Sequence, residues 1–385
     1  MAVRLRAVGL TAGCRLGGTT TSDLGEGAVA QLPAVPGPAP RASIVDVARR
    51  AGVSVATVSR ALRDMPNVSQ ATRDRVLKAA ADLQYAASPL ASGLVTGRVR
   101  SVGVILPYAG RWFFAEVVRG IEEALREDGY DLVLHVLADA RRRRDFFSSL
   151  PVRRRVDAVI LVALPLDHRE IELLRSLGLP MACVAEPMSG VHGERIDNAA
   201  AARLAVRHLV NLGHTRIACI GGDLDGPERF SVPGLRTEGY RHAMSEAGLT
   251  VRADWERDGS FTARGGELAM TALLSQPGGR PTAVFCQSDE MAFGALRALR
   301  RSGLRCPDDV SIVGVDDHEL AETFDMTTVA QPVVAQGAAA ARWVVKALQL
   351  GTDAHLPVDE VNIHPARLVL RGSTGPAPTE AVPAG

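Results

Sequence analysis

Lysine is almost missing: the chain has two, against 42 arginines. Arginine suits phosphate and guanine recognition, but a GC-rich genome would give the same bias everywhere, so the count alone marks no phosphate-binding surface. Aromatic residues make up only 4%, which leaves an aliphatic core. The five cysteines, Cys14, Cys183, Cys219, Cys286 and Cys306, include no CxxC pair. That argues against a disulfide framework and against a zinc site, and it suits a reducing compartment. No apolar run approaches eighteen residues, so no membrane-spanning helix is expected. Catalytic signatures are missing too. There is no GxSxG, no Walker loop and no HExxH, and IGGDLDG from Ile220 lacks the GxGxxG spacing of a dinucleotide site. The expectation is a protein that is not an enzyme and holds no cofactor or metal.

What is present suffices for folding. At 385 residues, 46% hydrophobic and 23% charged, the chain can bury two or three domains' worth of core. Its net charge of +1 conceals an asymmetry. Residues 41–100 hold ten basic and four acidic side chains, a balance of +6; residues 1–40 give +1, so the other 285 carry −6. A small basic module joined to a larger acidic one predicts that only the first meets a polyanion. Residues 1–42 show no periodicity and are rich in Gly, Ala, Thr and Pro. They read as a disordered arm, or as the product of a start codon set too far upstream. Arg4, Arg6 and the stretch ending at Cys14 faintly resemble a lipoprotein signal. The apolar run between Arg6 and Thr11 has four residues, short of the ~7–15 that a signal core needs.

From Ser43 to Tyr85 the pattern is helical. Val47, Ala48 and Ala51 make a stripe, Gly52 suits a left-handed C-terminal residue, and Ser54 can cap a second helix carrying Val58, Ala61 and Leu62. Pro66 stops that helix, and Ser69 can cap a third with Val76, Ala79, Ala80 and Leu83 on one face. Three short helices with a glycine-containing first turn give the helix-turn-helix plan.

The runs DVARRAGVSVATVSRAL, NVSQATRDRV and LQY resemble the N-terminal domain of LacI/GalR-family bacterial transcription regulators. The resemblance extends over roughly residues 43–372. It implies that Val55, Ala56, Thr57 and Arg60 face the major groove. Val55 and Ala56 fall at the base-choosing positions and, being apolar, can meet a thymine methyl but donate nothing; Arg60 can fork onto guanine. Ser54, Ser59, Asn67, Ser69, Thr72 and Tyr85 match phosphate-holding positions, which set register rather than sequence. The plainer alternative makes Ser54 and Ser69 helix caps only and Arg60 a solvated surface arginine. Residues 87–100 correspond to the family hinge, a short helix that folds on the operator. Leu94 aligns with the leucine that wedges into the minor groove, and Ala91 with the alanine at the dimer contact. Ala87, Ser88 and Gly93 depart from the family's proline, asparagine and helical residue, which weakens the hinge helix alone.

From Ser101 the chain alternates apolar β runs (102–107, 132–137, 158–164, 182–186, 217–222, 283–288, 311–317) with helical stretches. That alternation predicts parallel sheets with helices on both faces, and some 270 residues are too many for one such sheet. The fold class expected is an all-α helix-turn-helix domain (43–86) plus an α/β, two-lobed, periplasmic-binding-protein-like domain (101–372) of two doubly wound parallel sheets. A disordered tail, 373–385, follows.

The resemblance also populates the cleft between lobes. Arg236 in LRTEGY and Asp316 in VGVDD align with the effector-clasping arginine and aspartate, a donor and an acceptor suited to vicinal hydroxyls. Phe261 matches a stacking position, Phe113 or Phe114 would line the opposite wall, and Gln331 and Asp197 are further candidates. Ser288 stands where several sugar-responsive members have asparagine, and Ala185 and Glu186 differ from the aspartate and tryptophan of the purine-responsive regulator, which counts against a purine. Each could instead be structural: a turn cap, a core ring, a surface ion pair. His214, in LGHTRIA, reads as a cap or packing residue. The implied function is a cytoplasmic, nucleoid-associated homodimer that binds a pseudopalindromic operator DNA and is released by a small polar effector, a sugar by preference. A regulator needing its ligand as corepressor is the alternative within the class. An exported sugar-binding protein or a sugar-processing enzyme lies outside it. The tail has no heptads, so no tetramerising helix is expected.

Overall fold

Ser43 opens the first helix in the way its sequence requires. In the computed structural model, which describes residues 42–62, 65–85, 99–224, 230–277, 279–350 and 360–378, its hydroxyl accepts from the Asp46 amide while Asp46 returns a bond to the Ser43 amide. Helix α1 (Ile44–Ala51) ends at Gly52, whose φ of +66° is left-handed. Helix α2 (Val55–Leu62) starts at Ser54, whose Oγ accepts from the Thr57 amide at 3.1 Å. Ser69 caps α3 (Gln70–Asp82) through the Thr72 amide. Val47, Ala48, Ala51, Val58, Ala61, Val76, Ala79 and Ala80 form the core of this three-helix unit. The hinge, with Ala91 and Leu94, lies outside the described residues, as does the arm before Ala42.

The chain divides into two units, residues 1–87 and 88–385. In the second, a first lobe runs β1 (Ser101–Leu106), α4 (Trp112–Glu127), β2 (Asp131–Val136), α5 (Ala140–Ser149), β3 (Ala158–Val162), α6 (His168–Arg175), β4 (Met181–Val184) and β5 (His192–Ile196). The chain then crosses into α7 (Asn198–Asn211), β6 (Ile217–Gly221), α8 (Ser231–Glu246), β7 (Glu256–Asp258), α9 (Ala263–Leu274), β8 (Ala283–Cys286), α10 (Asp289–Arg301), β9 (Ser311–Asp316), α11 (Leu320–Thr323) and β10 (Thr328–Ala330). It returns to the first lobe as α12 (Val333–Leu350) and β11 (Val361–His364), and ends in the second as β12 (Arg367–Val369).

The first sheet has the order β11-β5-β4-β3-β1-β2 and is parallel throughout; the second has β12-β10-β9-β8-β6-β7, with only β12 antiparallel. Strands β1, β3, β8 and β9 are buried along their whole length, as parallel strands covered on both faces must be. Each sheet has a core on either face: α4 and α12 cover one face of the first sheet, α5 and α6 the other. Helices α4 and α12 touch backbone to backbone. A Cβ on Gly120 would overlap the Val334 carbonyl oxygen, and one on Gly337 the Val117 carbonyl oxygen.

Several elements were not expected. Helix α5 opens on ARRRRD and shows no apolar stripe until Phe146 and Phe147, which are its buried residues. Strand β5 reads HGERI, yet His192 and Glu194 are buried because Glu194 accepts from His192 at 2.7 Å and pairs with His364 of β11 at 2.6 Å. The expected disorder from residue 373 is corrected at its start. Ser373 Oγ donates to Ile312 O, Thr374 meets Thr327, and the Ala377 amide bonds Leu212 O. Buried His214 reaches Thr282, Ser311 and the Gly375 carbonyl, so it holds the C-terminal segment to the second lobe.

Candidate functional site

Two surfaces carry candidate residues. On the three-helix unit, Val55, Ala56 and Arg60 are exposed along α2, while Val58 and Ala61 turn inward; Thr57 and Ser59 are half-buried between the two faces. Ser54, Asn67 and Ser69 are exposed, and Thr72 and Tyr85 are half-buried, Tyr85 packing on the core. Ser54 and Ser69 do cap helices. Capping uses only an oxygen lone pair and leaves each hydroxyl hydrogen to donate, as Ser69 Oγ does to Thr72 Oγ1 at 2.9 Å and as a phosphate oxygen would require.

In the larger unit, a cleft opens at the C-terminal ends of strands from both sheets, where open α/β sheets place ligands. Tyr108, Phe113, Phe114, Ala163 and Ala185 line it from the first lobe. Arg236, Phe261, Ser288, Glu290 and Asp316 line it from the second, and Asn198 and Gln331 sit at the crossings. Ala163, Ala185, Phe261 and Asp316 all have positive φ, from 41° to 132°. Such backbone is costly for residues other than glycine and gathers at sites.

Arg236 is buried and committed on two sides: Nε donates to Asn198 Oδ1 at 2.8 Å, and Nη1 to the Gln287 carbonyl. Its Nη1 stands 4.0 Å from Asp316 Oδ1. Gln331 donates to Asp316 Oδ1 at 2.6 Å and accepts from Gln336 at 3.4 Å. Burial lowers the Arg236 guanidinium, and Asp316 and then Asp289 oppose that shift. Burial pushes the Asp316 carboxyl up, with Arg236 opposing it. Asp289, behind Asp316, is pushed up by burial and by the Asp316 charge. It accepts from Thr328 Oγ1 at 2.7 Å and from the His318 amide at 2.9 Å.

The lobes also meet directly. Glu186, after β4, accepts from the Ser231 amide at 3.1 Å and from the Ser231 hydroxyl at 2.9 Å. It thereby serves the N-terminus of α8, where no side chain of the helix's own cap does so. On the other flank the Trp112 ring stacks on His318 with centroids 4.9 Å apart.

The structure therefore brings Phe113, Phe114, Arg236, Phe261, Ser288, Asp316 and Gln331 to one cavity and leaves Asp197 out of it. Asp197 is exposed and caps α7 by accepting from the Ala200 amide at 2.8 Å. Its neighbour Asn198 faces the cavity in its place. Ser288 lines the wall, but its Oγ also accepts from the Met291 amide to cap α10. Tyr108, Arg111, Phe230, Glu290 and Gln336 were not anticipated, and no motif announces them.

Comparison with known proteins places both surfaces in one context. The profile of bacterial regulatory proteins of the lacI family matches residues 43–88, and that of the periplasmic binding protein-like domain matches residues 206–374. The HTH-type transcriptional repressor CytR of Escherichia coli K12 is 37% identical over 346 residues, covering 88% of this chain and 97% of that protein. The chain belongs to the LacI family of bacterial regulatory proteins. Among solved structures, a lac repressor dimer bound to operator and the anti-inducer ONPF superimposes with a TM-score of 0.76 at 27% identity. That match covers 87% of this chain and all of the other. A CelR–cellobiose complex gives 0.64 at 32% identity, over 86% of this chain and all of the other. This member of the family thus combines a helix-turn-helix unit with a two-lobed unit whose cleft is lined by charged and aromatic side chains.

Proposed function

We propose that this LacI-family protein is a dimeric repressor that binds a pseudopalindromic operator and releases it when a small polar ligand, a sugar, enters the cleft. The observation that carries the ligand class is the Arg236–Asp316 pair: a fixed donor beside an acceptor, 4.0 Å apart and buried, suits adjacent hydroxyls. Phe113, Phe114 and Phe261 add aromatic surface against which a ring can lie. The CelR structure, similar over most of this chain, is a cellobiose complex, which supports a carbohydrate here. The operator-bound lac repressor dimer supports the dimeric, DNA-bound state.

Val55, Ala56, Thr57 and Arg60 are the residues we assign to the groove, with Ser54, Ser59, Asn67, Ser69, Thr72 and Tyr85 on phosphates and Leu94 as the minor-groove wedge beside Ala91. The effector works only through its difference in affinity between the DNA-bound and released states. The protein turns over no substrate in this reading and acts in the cytoplasm. Isothermal titration of the purified full chain with a panel of mono- and disaccharides tests the ligand class. One sugar should bind at micromolar affinity or better. No heat from any sugar, with binding of a ligand lacking adjacent hydroxyls, would reassign the cleft.

A further inference from the structure

The larger unit is acidic overall, yet one loop of it is not. Between α5 and β3, Arg153, Arg154 and Arg155 follow one another and all three are exposed. Arg141, Arg142 and Arg143 just upstream pair with Asp145, Asp139 and Glu170. Among the described residues no carboxylate pairs with Arg153, Arg154 or Arg155. The loop is fixed rather than loose. Val152 and Val156 are buried on either side of the arginines. The Arg153 amide donates to Leu150 O at 2.9 Å and the Arg155 amide to Val152 O at 3.0 Å. Leu150 and Arg154 both hold left-handed φ, 41° and 59°, a conformation that non-glycine residues keep only where their surroundings enforce it.

The position of the loop gives the three charges a partner. Asp157, the residue after Val156, accepts from the Val99 amide at 2.9 Å and the Arg100 amide at 2.7 Å, and its own amide donates to Ser101 O at 2.7 Å. The arginine loop therefore borders the point at which the chain arrives from the helix-turn-helix unit. Thirteen residues separate Tyr85 from Val99, so the loop lies at the end of the lobe to which the helix-turn-helix unit is tethered. The acidic residues of the same end, Glu127, Asp128 and Asp131, lead into β2. They lie across β1 from the strand that the arginines precede.

We propose that Arg153–Arg155 is a second DNA contact, made by the effector-binding unit with the phosphodiester backbone and blind to sequence. Arginine forks suit phosphate oxygens, and such contacts fix position without reading bases. The proposal rests on the DNA-binding reading above, and its test separates the two.

The test is the salt dependence of DNA binding by the full chain, read by fluorescence anisotropy. The probes are the DNA upstream of the protein's own gene and a bulk heterologous duplex. Each phosphate contact contributes about 0.9 to the slope of log K against log salt. The Arg153→Ala/Arg154→Ala/Arg155→Ala variant should bind both duplexes several-fold more weakly at low salt. Its slope should be shallower by about 1–2, with unchanged sequence preference and unchanged sugar binding. The corresponding triple lysine variant should keep most of the wild-type slope. A triple alanine variant with the wild-type slope overturns the proposal and leaves the regulator reading intact. A lysine variant as impaired as the alanine one also overturns it, because charge would then not be the cause. Wild-type protein that shows no salt-dependent binding to either duplex would remove both readings together.

Discussion

Arg236 and Asp316 carry opposite charges 4.0 Å apart, both buried, and neither closes the gap. Each is held by a different neighbour: Arg236 by Asn198 and the Gln287 carbonyl, Asp316 by Gln331. Asn198 and Gln331 stand at two crossings between the lobes, so the pair is positioned by the segments that join the lobes. A ligand hydroxyl can complete what the two side chains leave unmade.

Asp316→Asn keeps the shape and the Gln331 contact but removes the charge. A hydrogen bond to a charged group contributes about 1.5–3 kcal/mol, so sugar affinity should fall roughly 10- to 100-fold. Operator binding without ligand should be unchanged. Calorimetry and DNA anisotropy on the same preparation check both, and a normal ligand response would show that the site is elsewhere.

Asp289 predicts a pH effect with a definite sign. Burial and the Asp316 charge raise its carboxyl to about 7. A raised folded-state value stabilises fully below the unfolded value near 4 and is lost as pH rises through about 7. Asp289→Asn can still accept from the His318 amide and donate to Thr328. The stability of the ligand-free wild type relative to this variant should decline from pH 5 to pH 8. Burial lowers His214 and His318, which gives stability lost as pH falls, the opposite slope. Both proteins share those histidines, so the difference in Tm between them reports Asp289 together with its effect on the neighbouring Asp316 carboxyl. A pH-independent difference would contradict the assignment.

Glu186 joins the lobes at the N-terminus of α8. A carboxylate there gains from the helix dipole as well as from its two hydrogen bonds. Glu186→Ala should let the lobes separate more often, and stopped-flow measurement of sugar release should show dissociation about tenfold faster, ~1.4 kcal/mol. Glu186→Gln should lie between. An unchanged rate would mean that the contact does not restrain opening.

Gly120→Ala tests the packing of α4 on α12. The added Cβ overlaps the Val334 carbonyl oxygen, and overpacking of this kind costs about 1–3 kcal/mol. Chemical denaturation should show that loss. A variant as stable as wild type would mean that the two helices can move apart without cost.

Much of the fold was legible because parallel strands covered on both faces leave continuous apolar runs such as SVGVIL and AVILV. What escaped had polar letters buried for a reason that lies elsewhere in the chain. The HGERI strand buries Glu194 because His364, 170 residues on, meets it. GSTGPAP reads as a disordered tail until His214 is seen to bind it. At the cleft, Arg236 and Asp316 were indicated by the family resemblance of LRTEGY and VGVDD, and both line the cavity. Tyr108, Glu290 and Gln336 were not indicated, because a loop and two helices that meet only in three dimensions share no spacing. Asp197 caps α7 outside the cavity while Asn198 lines it, because at a lobe crossing the cap and the first helical residue point in different directions.

Release of DNA by a ligand can be read in one experiment, anisotropy of the full chain on the DNA upstream of its own gene with a sugar panel added. Binding to one fragment should be tight and steeply salt-dependent, and one sugar, not the others, should reverse it. Binding that appears only when a sugar is present would contradict release and identify a corepressor. Weak binding that ignores both sequence and sugar would contradict the regulator mechanism itself.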